Sequence, residues 1–262
     1  MTEIHPTAVI EPGAVIGAGC RIGAYAVVGA QVRLGPDTII GPHVVIEGRT
    51  VTGPRNRILQ FASVGAGPQA DGWAGEAAAL SLGADNVIRE GVTLHGALGP
   101  EPTRIGDRNL IMAGAHVGHD CAVGSDVRMA NGATLGGHVA VEDGAQISGL
   151  AAVHQHVRIG RLSFIAGGAM VVQDVPPYCT VQGDRARLAG LNLVGLRRAG
   201  LTPQALAGLR RAYRLLFLGT APMAERIAGV RALGLGPEAE RLADSLGASG
   251  RGAISTPRRV AA

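Results

Sequence analysis

IHPTAV-IEPGAV-IGAGCR-IGAYAV-VGAQVR-LGPDTI-IGPHVV, residues 4–45, is the stretch that decides the fold. Every block of six begins with an aliphatic residue, and the second position is mostly glycine. The same period returns over residues 82–94 and runs unbroken from 105 to 171, where every sixth residue is aliphatic or methionine. A helix repeats every 3.6 residues and a half-buried strand every two, so neither accounts for a period of six.

The period of six predicts one short strand and one turn per repeat. Three repeats make a triangular coil of 18 residues, and such coils stack into a parallel β-helix. The composition agrees, because 41 of the 262 residues are glycine and 3% are aromatic, although 47% are hydrophobic. Tight corners favour glycine, and a narrow prism has little room for aromatic rings. We therefore predict an all-β parallel β-helix with an aliphatic core.

Two segments interrupt the repeat, at residues 66–81 and 96–104. Long excursions from a rigid scaffold usually carry function or cover a site. The hexads stop after Pro176-Pro177, and the pattern turns helical from Leu188, with Thr202-Pro203 typical of a helix start. The predicted organisation is a β-helix over 1–187, a small helical C-terminal domain over 188–248 and a flexible tail over 249–262.

All 24 basic residues are arginine, which excludes Schiff-base chemistry, a lysine nucleophile and a P-loop. The net charge of +4 suits an acidic partner or a phosphate-bearing substrate. Basic residues without interleaved aromatics are a weak nucleic-acid signal, so we predict no nucleic-acid partner. No apolar run is long enough for a membrane span. The three separated cysteines and the absence of a signal peptide favour the cytoplasm.

Histidines are concentrated where the coils are predicted to stack. His95, His116, His119, His138 and His154 fall on hexads that share one side of the prism. We expect them to line one ridge near the second excursion. Such a group serves acid–base catalysis or binds zinc. We favour acid–base chemistry, because Asp120 directly follows His119.

Several motifs resemble the UDP-N-acetylglucosamine acyltransferases of lipid A biosynthesis, a branch of the hexapeptide-repeat acyltransferases. The resemblance covers roughly residues 4–220, in the right order. It implies a left-handed β-helix, a homotrimer with sites between subunits, and no cofactor, since the acyl carrier protein is a co-substrate. The motifs that carry it are Gln60–Gly65, Ala115–Cys121, Gly136–His138, Ala152–Gln155 and Gln173–Tyr178.

The resemblance implies a catalytic role for three residues. His119 would be the general base that takes a proton from the sugar 3-hydroxyl, which then attacks an acyl thioester. Asp120 would orient the imidazole, and the Gly137 N–H would hold the oxyanion. The substrate-binding residues implied are Gln69, Asp71, His95, His116, His138, His154, Gln155, Asn192 and Arg198.

The resemblance also implies an acyl-chain ruler and a docking surface. Gly167 occupies the ruler position, with Phe164 nearby, and a glycine there favours a long chain. The exposed arginines of the helical region would dock the acidic carrier protein. These are Arg197, Arg198, Arg210, Arg211 and Arg214.

This chain departs from the family pattern at several substrate positions. Ala70 and Gly72 replace an acid and a lysine, and Gly96 replaces an arginine. In the helical region, Val194 and Ala199 replace an acidic and a basic residue. These departures leave three alternatives open: transfer to the 3-amine of an aminated UDP-sugar, a zinc enzyme of the γ-carbonic-anhydrase type, and a scaffold without catalytic activity.

Overall fold

A computed structural model describes residues 1–247 and 252–254 of the chain. Short strands, most of them two residues long, wind through three parallel sheets, as the hexads predict. Each strand pairs with the strand one coil further on, so that Ile4 lies opposite Ile22 and Ile10 opposite Val28. The predicted parallel β-helix with a helical C-terminal region is confirmed.

The three sheets form the faces of the prism, which we name A, B and C. Face A consists of Glu3–Ile4, Arg21–Ile22, Ile39–Ile40, Arg57–Ile58, Val87–Ile88, Leu110–Ile111, Arg128–Met129, Gln146–Ile147, Phe164–Ile165, Cys179–Gln182 and Arg187–Leu191. Face B consists of Val9–Ile10, Val27–Val28, Val45–Ile46, Ser63–Ala66, Thr93–His95, His116–Val117, Thr134–Leu135, Ala152–Val153 and Met170–Val171. Face C consists of Val15–Ile16, Arg33–Leu34, Arg49–Thr52, Ala79–Leu82, Thr103–Ile105, Ala122–Val123, Ala140–Val141 and Arg158–Ile159.

The core is the row of aliphatic residues that begin the hexads. Ile58, Leu94 and Ile111 are buried, and each stacks on its equivalents in neighbouring coils. Of the described aromatic residues, only Tyr178 is buried, which matches the narrow interior. Since buried apolar area drives folding, the stacked aliphatic residues stabilise each coil through its neighbours.

The corners between faces, named edges A/B, B/C and C/A, place one residue per turn at positive φ. Glycine fills only some of these positions, contrary to the expectation from composition. On edge B/C the left-handed residues include Asp120, His138 and His156, with φ of 57°, 59° and 63°. A left-handed residue with a side chain costs about 1–2 kcal/mol, so the fold accepts strain at this edge.

Edge C/A is held by polar ladders. The buried side chains of Asn56, Asn86 and Asn109 pass hydrogen bonds from coil to coil. Outside them, Arg55 forms two hydrogen bonds to Asp85, at 2.7 and 2.6 Å. The asparagines satisfy polar groups that would otherwise destabilise the interior.

The first excursion is shorter than predicted, because Ala66 and residues 79–81 belong to strands that continue faces B and C. The second excursion lies between the strands Thr93–His95 and Thr103–Ile105. The start of the predicted helical domain also differs. Arg187–Leu191 is a strand that pairs antiparallel with Cys179–Gln182 and covers the open edge of face A.

Four α-helices follow the prism: α1 Leu193–Arg198, α2 Pro203–Tyr213, α3 Met223–Ala232 and α4 Pro237–Gly247, with a π-helix at Arg214–Leu218 after α2. Thr202 caps α2 by accepting the Ala205 N–H, at 3.2 Å, so the predicted helix start is confirmed. Within the described residues, no helix combines the length and apolar character that a membrane crossing requires.

Most of the predicted tail, 249–262, lies outside the described residues. Residues 252–254 are described, and they return to the prism. Ala253 forms a β-bridge with Asp174, and the Ile254 N–H donates to the Asp174 carbonyl at 2.9 Å. Ile254 is buried, which the sequence did not predict.

Candidate active site

Edge B/C brings histidines and a carboxylate together beneath the first excursion. His119 lies where the chain leaves face B, directly after the strand His116–Val117. An open cleft of about 560 Å³ lies at this place. The cleft is lined by Pro68, Gln69, Ala70 and Asp71 from the excursion and by His119, His138, Gln155 and His156 from the prism.

His119 and Asp120 form a hydrogen-bonded pair. The Nδ1 of His119 lies 2.6 Å from Oδ2 of Asp120. The second excursion anchors the carboxylate, because its Oδ2 accepts the Leu98 N–H at 3.1 Å and its Oδ1 accepts the Gly99 N–H at 2.9 Å. The imidazole is therefore held in the tautomer that carries a proton on Nδ1 and leaves Nε2 free to accept one.

The environment keeps Asp120 ionised. Burial acts to raise its pKa, but the hydrogen bonds from His119 and from the Gly99 and Leu98 amides outweigh burial and lower the pKa below its ordinary value. The side chain is 10% exposed. A buried negative charge beside Nδ1 stabilises the imidazolium that forms when Nε2 takes a proton.

Gly137 faces the imidazole from the next coil. A Cβ at this residue would lie 2.6 Å from both Nε2 and Cε1 of His119. Glycine is required here because any side chain would fill the space beside the basic nitrogen. Within the described residues the Gly137 N–H donates no hydrogen bond, so this donor is free beside His119.

His95 and His116 lie next to this pair on face B, with ring centroids 5.0 Å apart. Burial, together with the other histidines, lowers the pKa of His116 to about 4, and burial and His119 lower the pKa of His95. Nδ1 of His116 lies 2.7 Å from the hydroxyl of Thr93. Both rings are therefore neutral at pH 7 and act as hydrogen-bonding groups.

His138 contacts His119 edge to face, with centroids 5.1 Å apart, and its Nε2 lies 3.8 Å from Oδ2 of Asp120. Burial lowers its pKa, against the effect of Asp120. The predicted ridge differs at one member, since His154 makes no ring contact with the other histidines among the described residues. Its place is taken by His156, which stacks on His138 at 4.5 Å. Stacking coils 18 residues apart would have found it.

His119, Asp120 and His138 also offer three donor atoms within 4.8 Å of one another. A zinc site would use the Asp120 carboxylate, but both of its oxygens already accept hydrogen bonds from this chain. A metal ion would have to displace those bonds and separate His119 from its partner. The donor set therefore suits acid–base chemistry better than metal binding.

Other predicted site residues lie on other edges. Gly167 follows the strand Phe164–Ile165 and lies on edge A/B, where a Cβ would meet only the Gly149 carbonyl, at 3.5 Å. Asn192 lies beside edge C/A, donates to the Leu162 carbonyl at 3.0 Å and caps α1. Arg198 is on α1. One chain does not bring these residues to the cleft at edge B/C.

The predicted docking arginines are exposed on the helical region. None forms an ion pair among the described residues. Arg210 and Arg214 are one turn apart and share a helix side. A second cleft of about 570 Å³ lies between α2 and α4, and Arg211 and Glu238 are its only charged lining residues among those described. That cleft holds no catalytic group.

Two family models match the chain. One, described as bacterial transferase hexapeptide (six repeats), matches residues 1–30, 13–48 and 102–137. The other, described as UDP N-acetylglucosamine O-acyltransferase, domain 2, matches residues 174–254. The first describes the coils, and the second describes the end of the prism and the helices.

Similar proteins cover nearly the whole chain. The acyl-[acyl-carrier-protein]–UDP-N-acetylglucosamine O-acyltransferases of Myxococcus xanthus and Anaeromyxobacter sp. are 50% and 52% identical, over 88% and 87% of this chain and 91% and 90% of their own lengths. The UDP-N-acetylglucosamine acyltransferase structure from Campylobacter jejuni is 34% identical, with a TM-score of 0.93 over 98% of this chain and all of its own. The LpxA structure from Acinetobacter baumannii is 38% identical, with a TM-score of 0.92 over 96% of this chain and 99% of its own.

These matches confirm the family that the motifs predict, and with it the left-handed β-helix. They span both the prism and the helical region, so the kinship is not limited to the repeats. The chain belongs to the acyl-[acyl-carrier-protein]–UDP-N-acetylglucosamine O-acyltransferase family.

Proposed function

We propose that this enzyme transfers a 3-hydroxyacyl chain from acyl carrier protein to the 3-hydroxyl of UDP-N-acetylglucosamine, the first step of lipid A biosynthesis. The observation that carries the proposal is the His119–Asp120 pair facing the bare backbone of Gly137. Membership of the family supplies the substrates, and this geometry supplies a base and an oxyanion donor side by side.

The reaction begins when Nε2 of His119 removes the proton of the sugar hydroxyl as its oxygen attacks the thioester carbonyl carbon. The carbonyl oxygen becomes an oxyanion, and the Gly137 N–H is the donor placed to stabilise it. The intermediate then expels the carrier thiolate, which takes the proton from the imidazolium. The products are the ester and the free thiol of the carrier, and His119 is again neutral.

The subunit arrangement that we propose is a homotrimer with sites between copies. The outward residues of face B are uncharged in all nine strands, whereas faces A and C present arginines such as Arg57 and Arg158. An uncharged sheet face suits burial against another copy. Contact between copies would also bring Gly167 on edge A/B to the cleft at edge B/C of a neighbour, where it would limit the acyl chain with Phe164.

Carrier-protein docking is assigned to Arg197, Arg198, Arg210, Arg211 and Arg214. Their support is that all five are exposed and lack ion-pair partners among the described residues. Guanidinium groups without a carboxylate partner attract an acidic protein over several ångströms. Asn192 and Arg198 are assigned to the nucleotide sugar, with Gln69, Asp71 and Gln155 in the cleft. The proposed location is the cytoplasm.

The acceptor atom is tested with two substrates. Purified enzyme is given 3-hydroxyacyl carrier protein with either UDP-N-acetylglucosamine or its 3-amino analogue, and products are identified by mass spectrometry. We expect an ester with the hydroxyl sugar, removable by mild alkali. An alkali-stable amide formed only with the amino sugar would replace the acceptor, and no product with either sugar would contradict acyl transfer.

A further inference from the structure

His156 has a fixed position in the cleft. Its ring stacks on His138 with centroids 4.5 Å apart and planes at 11°. Its backbone N–H donates to the Gly137 carbonyl at 3.0 Å, and its φ is 63°. The side chain lines the same cleft as His119 and Asp71, so the ring is presented to a ligand with little freedom left to lose.

The ring nitrogens of His156 are free among the described residues. His119 gives its Nδ1 to Asp120, and the Nε2 of His138 lies 3.8 Å from the same carboxylate. His156 has no carboxylate within ion-pair distance in the described chain. Because an imidazole always carries at least one N–H, this side chain offers a donor that no protein group uses.

Other cationic groups are missing from the cleft. Its described lining residues include no arginine, and the chain has no lysine. Asp71, on the excursion opposite, adds a carboxylate. A diphosphate oxygen accepts hydrogen bonds and gains most from a charge-assisted donor. With His119 and His138 beside Asp120, the donor best placed for an anion is His156.

We propose that His156 is a substrate-binding residue that donates a hydrogen bond to the diphosphate of the nucleotide sugar. The inference rests on the proposed function, since it concerns the acceptor of that reaction. Edge B/C then divides the work along its length. His119 and Asp120 act on the sugar hydroxyl, and His156, two coils beyond Asp120, holds the diphosphate.

The test is steady-state kinetics of His156→Phe, which keeps a flat ring against His138 and removes both nitrogens. We expect the KM for UDP-N-acetylglucosamine to rise about tenfold, the effect of one lost hydrogen bond to a charged group. The kcat and the KM for acyl carrier protein stay within about twofold. His156→Gln, whose amide donates, recovers part of the loss. The matched control is His43→Phe, since His43 also stands in a ring stack but on edge A/B.

Inhibitors separate the diphosphate from the rest of the ligand. His156→Phe is expected to weaken competitive inhibition by UDP about tenfold and to leave inhibition by uridine unchanged. An unchanged KM, or unchanged inhibition by UDP, overturns the proposal. A fall in kcat with an unchanged KM also overturns it, because His156 would then only support His138.

Calorimetric titration keeps this test separate from the proposed function. If the wild-type enzyme acylates no UDP-sugar, the proposed reaction fails, and UDP binding to wild type and to His156→Phe is compared directly. About tenfold weaker binding to the variant supports the diphosphate contact by itself. Equal binding overturns it.

Discussion

Two edges of the prism carry stacked rings on the same backbone geometry. Edge A/B stacks Tyr25, His43 and Phe61, with centroids 5.1 and 5.2 Å apart, and edge B/C stacks His138 and His156. All five residues have positive φ between 57° and 63°. Stacked rings at a left-handed corner are therefore a structural feature of this coil and do not by themselves mark a site.

The difference lies in what surrounds the rings. Edge B/C adds the Asp120 carboxylate, the bare backbone of Gly137 and the two excursions, which supply amides and cover the cleft. On edge A/B, Tyr25 and Phe61 are 58% and 64% exposed. Reactivity at this fold comes from a carboxylate and a gap beside a histidine, held by irregular loops.

The largest expected effect is that of His119→Ala. Loss of the general base should lower kcat by about a thousandfold or more, while the free energy of unfolding changes little at this partly exposed position. Single-turnover transfer from acyl carrier protein measures the loss. His43→Ala on edge A/B is the control and should keep wild-type turnover. Comparable losses in both variants would remove the distinction between the edges.

Gly137→Ala should lower kcat by about a hundredfold, the range for a lost or misplaced oxyanion donor. The reason is steric, because the new Cβ would lie 2.6 Å from the His119 ring. Gly229→Ala is matched to it, since a Cβ there meets nothing within 4 Å and α3 favours alanine. Full activity in Gly137→Ala would show that the gap beside His119 is unnecessary.

Val45→Glu tests whether face B lies between subunits. A charge on this uncharged face should dissociate the oligomer and lower activity about tenfold or more, because burying an unpaired carboxylate is costly. Ile39→Glu is the control, since this outward residue of face A lies between Arg21 and Arg57. Light scattering gives the mass of both. An oligomer that survives Val45→Glu places the interface elsewhere.

The smallest expected effect is on stability and pH. The pKa of His116 falls to about 4 in the folded protein, against about 6.5 unfolded. Between these values the unfolded chain binds a proton that the folded chain does not, so stability decreases as pH falls from 6.5 to 4. Denaturant unfolding of His116→Gln should show a shallower decrease in this window, whereas Thr134→Val keeps the wild-type slope. An unchanged slope in His116→Gln contradicts the shift.

Much of this was predictable from sequence, since a strict period of six specifies both the coil and its inward row, and Thr202-Pro203 specifies a helix start. The pairing of His119 with Asp120 follows from their order in one corner. The Leu98 and Gly99 amides were not predictable, because they come from a loop without a period. The strand Arg187–Leu191 was missed because its pairing is antiparallel and its pattern carries no hexad.

Imidazole NMR with labelled histidine, recorded during titration with UDP-N-acetylglucosamine, tests the central claim most directly, because it shows which edge binds the substrate. The eight histidines are assigned by single substitutions. We predict that the signals of His119, His138 and His156 on edge B/C shift with added ligand, while His43 on edge A/B does not. A shift at His43 with edge B/C unchanged would contradict the account.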